Sequence, residues 1–449
     1  WNDVFKDYGF DDKDFQDEEG KILSFLRPPL PRDGAGGAGG GGEALRNPIR
    51  KTKTVKQKIQ TTMKITQVEA VLVGAPTPGC GLLSNRNYFY ILLHTDEGLT
   101  GLGEATLESH DESVLGSLRD LEDLIIGQDP RQVGKLMQTL IRQRFWKGGV
   151  VKASAVSGVE LACWDLIGKA AGKPVCELLG GAVRDRVRVY ANGWTGGATD
   201  PAIIREKAAA ALEYGYSAFK FSLAVPSWPV RDLETVRRIR RAAETIREAV
   251  GPDSPLLFDG HGRYDSRLAI QVGQALEELN LMFFEEPVQP EDEEGMALVA
   301  DKVNIPIAAG ERLTRLQEFR RLFEKRAICI AQPDLAHCHG FGEGLKVAHL
   351  AEAFDGFVAP HCPMSPVITA ISLHLDAVAP NFLIQERLFL DDWRNEIITE
   401  PLKVKEGYLE LPSGPGWGIE LDMEMVRKHP RIVAGTPRLF RPDGAVCDW

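Results

Sequence analysis

The sequence predicts an α/β fold: a (β/α)8 TIM-type barrel with an α+β capping domain built from the N-terminal part and the C-terminal tail. Three observations carry that expectation. From about residue 187 onward, eight short apolar runs alternate with helical stretches. Each run is unbroken, which suits a parallel strand covered on both faces. A block of alternating β-forming sequence with helical patterns behind it comes first, as a smaller and separate unit. Eight β/α units match the usual size of such a barrel. The competing arrangement is an open doubly wound sheet, which would carry a glycine-rich phosphate turn after its first strand. Gly193-Trp194-Thr195-Gly196-Gly197 is glycine-rich but does not follow that pattern.

Taken in order, residues 1–62 stand apart from the rest. Residues 1–20 are acidic and aromatic, 34–42 are nearly all glycine, and 46–58 are basic. Such composition predicts a disordered extension. Periodic sequence begins just after Met63, so Met63 is read as the start of the folded protein. Lys64–Gly74 and Tyr88–Thr95 alternate as strands, Asp96-Glu97-Gly98 turns the chain, and 99–105 returns. Helical patterns follow near 111–126, 130–144 and 151–171, completing a capping domain over 63–185. The barrel, 186–390, holds the apolar runs Val187–Ala191, Ala218–Phe221, Pro255–Phe258, Leu281–Phe284, Ile305–Ala309, Ile328–Ala331, Phe357–Ala359 and Phe382–Ile384. Between the second and third runs, Leu233, Val236, Ile239, Ala243, Ile246 and Val250 keep helical spacing up to a Gly251-Pro252 stop. Residues 391–449 contain no further β/α unit and are expected to complete the cap.

Composition narrows the function classes. A formal net charge of -11 argues against nucleic acid, which needs a basic face. No run of about 18 apolar residues appears, so no membrane-spanning helix is expected. The seven cysteines are odd in number and form no C-x-x-C, which points to a reducing, cytoplasmic compartment.

Ionisable residues follow the apolar runs at regular intervals. Asp259, Glu285 and Glu311 close the third, fourth and fifth runs, each 26 residues after the last. Three carboxylates would therefore stand level at the C-terminal strand ends, where barrels build active sites. Converging carboxylates repel and need a cation, and all-oxygen ligation selects a hard divalent ion, Mg2+ first and Mn2+ second. The blander alternative pairs each acid with an arginine such as Arg263 or Arg312. Asp334, His361 and Glu386 extend the series in steps of 23, 27 and 25 residues. Asp334 and His361 would then lie on neighbouring strands, where a carboxylate can orient an imidazole and raise its basicity. His261 lies two residues past Asp259 and, in an extended continuation, would share its side. Lys220 ends the second run as a candidate base or carboxylate binder. The His337-Cys338-His339 triplet lacks a second pair at zinc spacing, and Cys362 would point away from His361, so neither is read as a zinc or nucleophile site.

These residues carry a resemblance. Leu256-Leu257-Phe258-Asp259-Gly260-His261-Gly262-Arg263, Phe284-Glu285-Glu286-Pro287, Ala309-Gly310-Glu311-Arg312, Gln332-Pro333-Asp334-Leu335, Ala359-Pro360-His361-Cys362-Pro363 and Gln385-Glu386 are similar to the mandelate racemase subgroup of the enolase superfamily. Thr95-Asp96-Glu97-Gly98, Ile126-Gly127-Gln128-Asp129-Pro130 and Cys163-Trp164-Asp165-Leu166 extend it over Met63–Trp449. The resemblance implies Mg2+-dependent dehydration of a D-galactonate-like sugar acid to a 2-keto-3-deoxy acid through an enediolate. It implies Asp259, Glu285 and Glu311 as metal ligands, and His361, oriented by Asp334, as the base at C2. His261 would be the acid at the 3-hydroxyl, Glu386 the enediolate contact, and Lys220 a substrate-carboxylate contact. A homo-oligomer is implied as well. Racemases of the subgroup carry Lys-x-Lys at the second strand, whereas here it is Lys220-Phe221-Ser222. Dehydration is thereby favoured over the alternative, racemisation or epimerisation of a 2-hydroxy acid.

Overall fold

The computed structural model describes residues 62–76, 85–223, 233–389, 392–433, 438–441 and 443–446. Apart from Thr62, the extension expected to be disordered lies outside the described residues, as do residues 77–84. Met63 is buried at the start of the described fold. Among the described residues no helix is long and apolar enough to cross a membrane.

The first sheet is antiparallel, β1 (Ile65–Pro76), β2 (Asn85–Thr95) and β3 (Thr100–Glu104), in the order β1-β2-β3. Its hairpin closes through Thr95, whose N–H donates to Leu99 at 3.1 Å, with Gly98 at φ +79. Three helices follow: α1 (Asp111–Ile125), α2 (Val133–Arg142) and α3 (Val150–Ala171). Helix α3 is apolar nearly all round and buried through its middle, as a helix clasped between two layers must be. Strand β3 lies directly on it. A Cβ on Gly103 would stand 2.0 Å from the Gly158 carbonyl oxygen, and one on Gly101 would stand 2.2 Å from that of Ala162. Those two glycines let strand and helix backbones meet.

The second sheet is parallel and curled. Its strands are β4 (Arg186–Asn192), β5 (Phe219–Phe221), β6 (Leu256–Asp259), β7 (Phe283–Glu285), β8 (Ile307–Ala309), β9 (Ile330–Ala331), β10 (Phe357–Val358) and β11 (Gln385–Leu388). Hydrogen bonding follows the order β10-β9-β8-β7-β6-β5-β4-β11. Helices separate successive strands, so the α/β expectation holds. Alternation along the strands divides the apolar residues in two. Tyr190, Leu257, Phe283, Ala308 and Ile330 pack with Ala218, Ala359 and Ile384 in one buried cluster. Val189, Phe258, Phe284, Ile307 and Ala309 join the helices in the larger core.

Two sequence expectations shift. The eighth strand forms over Gln385–Leu388 rather than Phe382–Ile384, although Phe382 still bridges Val358. Glu386 is thus inside its strand instead of just past it. The predicted helix after the second run is Leu233–Val250, and its buried face includes Ile239, Ala243, Ile246 and Val250, but Leu233 is 58% exposed. The C-terminal segment divides its contacts. Strand β12 (Tyr408–Glu410) pairs antiparallel with β4, while the Trp417 N–H donates to Asp165 of α3 at 2.9 Å.

Two buried carboxylates seat α3 and β3 against helices of the second unit. Glu160 of α3 accepts from the N–H groups of Phe341 and Gly342, at the start of helix α9 (Phe341–Ala353), at 2.8 and 3.0 Å. Glu104 of β3 accepts from Ile368 N–H at 2.9 Å near the start of helix α10 (Pro366–Val378). Helix N-termini present unpaired N–H groups and partial positive charge, which these carboxylates complement. Numbering in this chain order, the helices between are α4 (Pro201–Glu213), α5 (Leu233–Val250), α6 (Ser266–Leu276), α7 (Glu293–Lys302) and α8 (Leu316–Glu324).

Candidate active site

Strand register brings the acids together. Asp259 and Glu285 are the last residues of β6 and β7 and are direct ladder partners. Glu311 follows β8 after Gly310, whose φ of +146 turns the chain where a Cβ would meet Gln332 backbone at 3.0 Å. One carboxylate oxygen from each of Asp259, Glu285 and Glu311 lies within 4.8 Å of the others. The arginines do not neutralise this set. Arg312 pairs with Glu286, its Nε 2.8 Å from Oε2, and Arg263 points its Nη1 at Ser222 and His261, 3.2 Å from each.

Lys220 sits inside the acidic cluster. Its buried ammonium is 2.9 and 3.0 Å from the two Glu285 oxygens, 2.7 Å from Glu386 and 3.4 Å from Asp259. Burial works to lower its pKa, but Glu285 and Glu386 outweigh that and hold it well above the usual lysine range. Lys220 thus meets these carboxylates as an ammonium donor. Burial and the Asp259 charge push the Glu285 carboxyl well up. A buried pocket this rich in anions has room for more positive charge than one ammonium supplies. Three converging hard oxygen donors are the donor type that Mg2+ or Mn2+ takes, and they could hold such an ion jointly.

Two imidazoles flank the triad. His361 Nδ1 is 2.8 Å from Asp334 Oδ2, the geometry that fixes tautomer and ring orientation. Its Nε2 is 3.1 Å from Glu311 Oε2. Burial opposes a charge on this ring, yet Glu311, Glu386 and Asp334 hold its pKa well above the usual histidine value. Burial also works to raise Glu311, but His361, His261 and Lys220 keep that carboxyl well below its usual range. His261 reaches the site differently from the extended continuation expected. It is in the left-handed region at φ +50, and its N–H turns back to Asp259 Oδ1 at 2.8 Å. The ring still lies beside Asp259, with Nε2 3.2 Å from Oδ2. The Arg263 guanidinium can only donate, so Nδ1 accepts and the Nε2 proton faces Asp259. Burial lowers the His261 pKa.

The remaining candidates separate. Cys362 is buried, its thiol 3.5 Å from Thr369 Oγ1 and its pKa pushed well up by burial. His339 Nδ1 bonds the Thr314 carbonyl at 2.8 Å, and Cys338 turns to the Gly340 carbonyl at 3.6 Å, so the triplet does not converge on a metal. The five described cysteines, at 163, 176, 329, 338 and 362, are free thiols.

Comparison with known proteins supplies the context. Residues 60–180 match the family model of the mandelate racemase/muconate lactonizing enzyme N-terminal domain, and residues 203–425 match that of the enolase C-terminal domain-like fold. The chain belongs to the mandelate racemase/muconate lactonizing enzyme family of the enolase superfamily. A D-galactonate dehydratase of Ralstonia nicotianae is 37% identical over 375 residues, covering 81% of this chain and 96% of that one. One from Pectobacterium atrosepticum is 34% identical over 371 residues, with the same coverage. Among solved structures, a mandelate racemase/muconate lactonizing enzyme from Sulfitobacter superposes with a TM-score of 0.78 at 31% identity, over 86% of this chain and all of that one. An enolase superfamily member from Salmonella Typhimurium gives 0.75 at 32% identity, over 82% and 98%.

Within this mandelate racemase-type site, three contributors escaped the sequence reading. Asn192, at the end of β4, donates to Glu386 Oε1 at 2.7 Å. The Cys362 N–H donates to Glu386 Oε2 at 2.7 Å. Ser222 Oγ lies 2.9 Å from His261 Nδ1. The position of Asn192, at the end of the first strand as Lys220 is at the end of the second, was the available signal.

Proposed function

We propose that this chain is an acid-sugar dehydratase, a hydro-lyase that converts a D-galactonate-like aldonate to its 2-keto-3-deoxy acid through an enediolate. The observation that carries the reading is one constellation: the Asp259–Glu285–Glu311 oxygens within 4.8 Å of one another, with the His361–Asp334 pair in contact at Glu311. The D-galactonate dehydratase relatives support the choice of substrate class. So does Ser222 in place of a second lysine after Lys220.

Asp259, Glu285 and Glu311 would hold Mg2+. The ion supplies positive charge to a substrate carboxylate whose C2 proton is otherwise far too weakly acidic. His361, with Asp334 on Nδ1, takes the C2 proton at Nε2. With Glu311 holding the ion, its charge would favour a proton on His361 less, leaving Nε2 to act as the base. Lys220 and Glu386 face the developing enediolate oxygen. A carboxylate alone would repel it, but with Lys220 Nζ 2.7 Å from Oε1 the pair can present a proton there. His261, as the imidazolium with Ser222 Oγ beside Nδ1, would deliver its Nε2 proton to the departing 3-hydroxyl, which leaves as water, and return to the neutral ring.

The same reading takes the curled parallel sheet as a closed (β/α)8 barrel. The Val358–Phe382 bridge and the parallel ladder from Gln385 to Val189 support closure between the seventh strand and the first. It takes 63–185 and 391–449 as the cap. It also includes a homo-oligomer, as is usual in the family, and a cytoplasmic setting that fits the free thiols.

The test is incubation with Mg2+ and a panel of C5 and C6 aldonic acids. A semicarbazide-reactive 2-keto acid is expected from D-galactonate or a close stereoisomer, and none in the presence of EDTA. Solvent deuterium at C2 of recovered substrate, with no keto acid from any member of the panel, would instead establish racemisation or epimerisation.

A further inference from the structure

We propose that His337 is a positioning residue for the proton-abstracting pair: it braces Asp334, and it is itself held by Ser154 of the cap helix α3. The proposal rests on the assignment of His361 and Asp334 as base and orienting carboxylate.

The directions of the hydrogen bonds make the argument. His337 is buried, with Nδ1 2.9 Å from Ser154 Oγ and Nε2 3.6 Å from Asp334 Oδ2. Ser154 Oγ also lies 2.8 Å from the Val150 carbonyl oxygen, which can only accept. The serine proton is therefore committed to Val150, and Oγ accepts from His337 Nδ1–H. With Nδ1 fixed in that direction, the ring turns Nε2 to Asp334 at 3.6 Å, too long for a hydrogen bond; as the imidazolium it forms an ion pair with the carboxylate and helps hold Asp334 ionised. The oxygen it faces is the one that accepts from His361 Nδ1 at 2.8 Å. The other carboxylate oxygen accepts from Ala336 N–H at 2.7 Å. Backbone bonds tie the same turn to Asp334, with the N–H groups of His337 and Cys338 on its carbonyl at 3.0 and 2.8 Å.

Asp334 is thus gripped at Oδ1 by the backbone and flanked at Oδ2 by two imidazoles. Rotation of the carboxylate away from His361 would have to displace His337, which Ser154 keeps in place. Helix α3 holds this segment at two points, through Ser154 at His337 and through Glu160 at Phe341. The seating of the cap helix therefore sets the aim of the base. A hydrolase-like role for this Ser–His–Asp series is ruled out by the same directions, because the Ser154 hydroxyl is fully buried and its proton is not shared with the imidazole.

The experiment is a double-mutant cycle in the Mg2+-loaded enzyme with D-galactonate, following kcat, KM and solvent deuterium at C2. His337→Leu should lower kcat for proton removal about tenfold or more, as loss of a partner to a buried carboxylate implies, with KM nearly unchanged. Ser154→Ala should act in the same direction and less. In an Asp334→Asn background, His337→Leu should add no further loss. Equal, additive losses in both backgrounds would overturn the proposal and leave His337 a packing residue. Where His337→Leu fails to fold, His337→Gln is carried through the same cycle with the same criteria. A readout independent of substrate is the proton resonance of the His361 Nδ1–H to Asp334 bond, assigned by its loss in His361→Asn. His337→Leu and Ser154→Ala should both shift it. An unmoved resonance overturns the bracing role, whereas a shifted one with no turnover of D-galactonate rejects only the substrate reading.

Discussion

His361 and Glu311 are in contact: Nε2 of the imidazole lies 3.1 Å from Oε2 of the carboxylate, so the proposed base and a proposed metal ligand share one interaction. Each holds the other's charge. The carboxylate raises the imidazole pKa, and the imidazolium lowers that of the carboxylate. Ligation of a cation by Glu311 would weaken one of the three carboxylate contacts that favour the proton on His361, the others being Glu386 and Asp334.

Binding of Mg2+ should therefore release protons. Because the metal-free chain favours imidazolium at His361, apparent Mg2+ affinity should rise with pH across the neutral range. Calorimetric titrations in buffers of different ionisation enthalpy measure the number released. A value near zero at pH 7, with affinity independent of pH, would contradict the linkage. His361→Asn should abolish most of the release while the site still binds the ion.

The two histidines should separate the two half-reactions. His361→Asn should stop both C2 exchange and keto-acid formation, with a loss on the order of a hundredfold or more. His261→Asn should stop dehydration while leaving exchange of the C2 proton with deuterium detectable. Full dehydration by His261→Asn would move the acid role to another residue.

Stability should fall as pH rises through the range set by two buried acids. Burial pushes Glu104 and Glu160 up to about 7 against an ordinary 4.5, despite the donors around each. A folded-state carboxyl with a raised pKa holds its proton longer than the unfolded chain does. Its contribution is therefore greatest at or below about pH 4.5 and declines from there to about pH 7. Each group accounts for roughly 3 kcal/mol over that window. Melting curves from pH 5 to 7.5 should show a shallower pH slope for Glu160→Gln than for the parent chain, even though the variant is less stable throughout. Equal slopes would mean that Glu160 is already ionised at pH 5.

How much of this site was legible depends on how each residue is delivered. Asp259, Glu285, Glu311, Asp334 and His361 each follow an apolar run by one β/α repeat, so spacing alone revealed them. Glu386 was found by the same count, but its strand was misplaced. Ile384 packs in the interior cluster and reads as strand, whereas the true strand, Gln385–Leu388, is polar because it carries Glu386 and the buried Arg387. Arg387 bonds Asn395 and the Leu402 carbonyl, each at 2.9 Å. Asn192 offered only its position at the end of the first strand, and the contact of Ser154 could not be read from sequence. Their partners lie 194 and 183 residues away, across contacts that only the folded chain creates. The enclosure of Lys220 by three carboxylates was hidden for the same reason. His261 was assigned to the right site by an argument the backbone does not follow.

The close meeting of β3 and α3 gives a prediction that involves no catalytic group. Gly103→Ala would place a methyl 2.0 Å from the Gly158 carbonyl oxygen, against backbone rather than a movable side-chain end. Relief requires the strand to lift from the helix. Overpacking of this kind costs about 1–3 kcal/mol, and more where backbone must move. Gly116 is the control: it lies within α1, and an added Cβ there meets nothing within 4 Å. Gly116→Ala should stabilise by up to about 1 kcal/mol through helix propensity. Chemical denaturation of the two variants should move the midpoint in opposite directions. Because Glu104 ends β3 and Ser154 lies on α3, Gly103→Ala should also lower turnover per folded molecule. A fall in stability alone, with turnover intact, would show that the aim of the base does not depend on how β3 seats on α3.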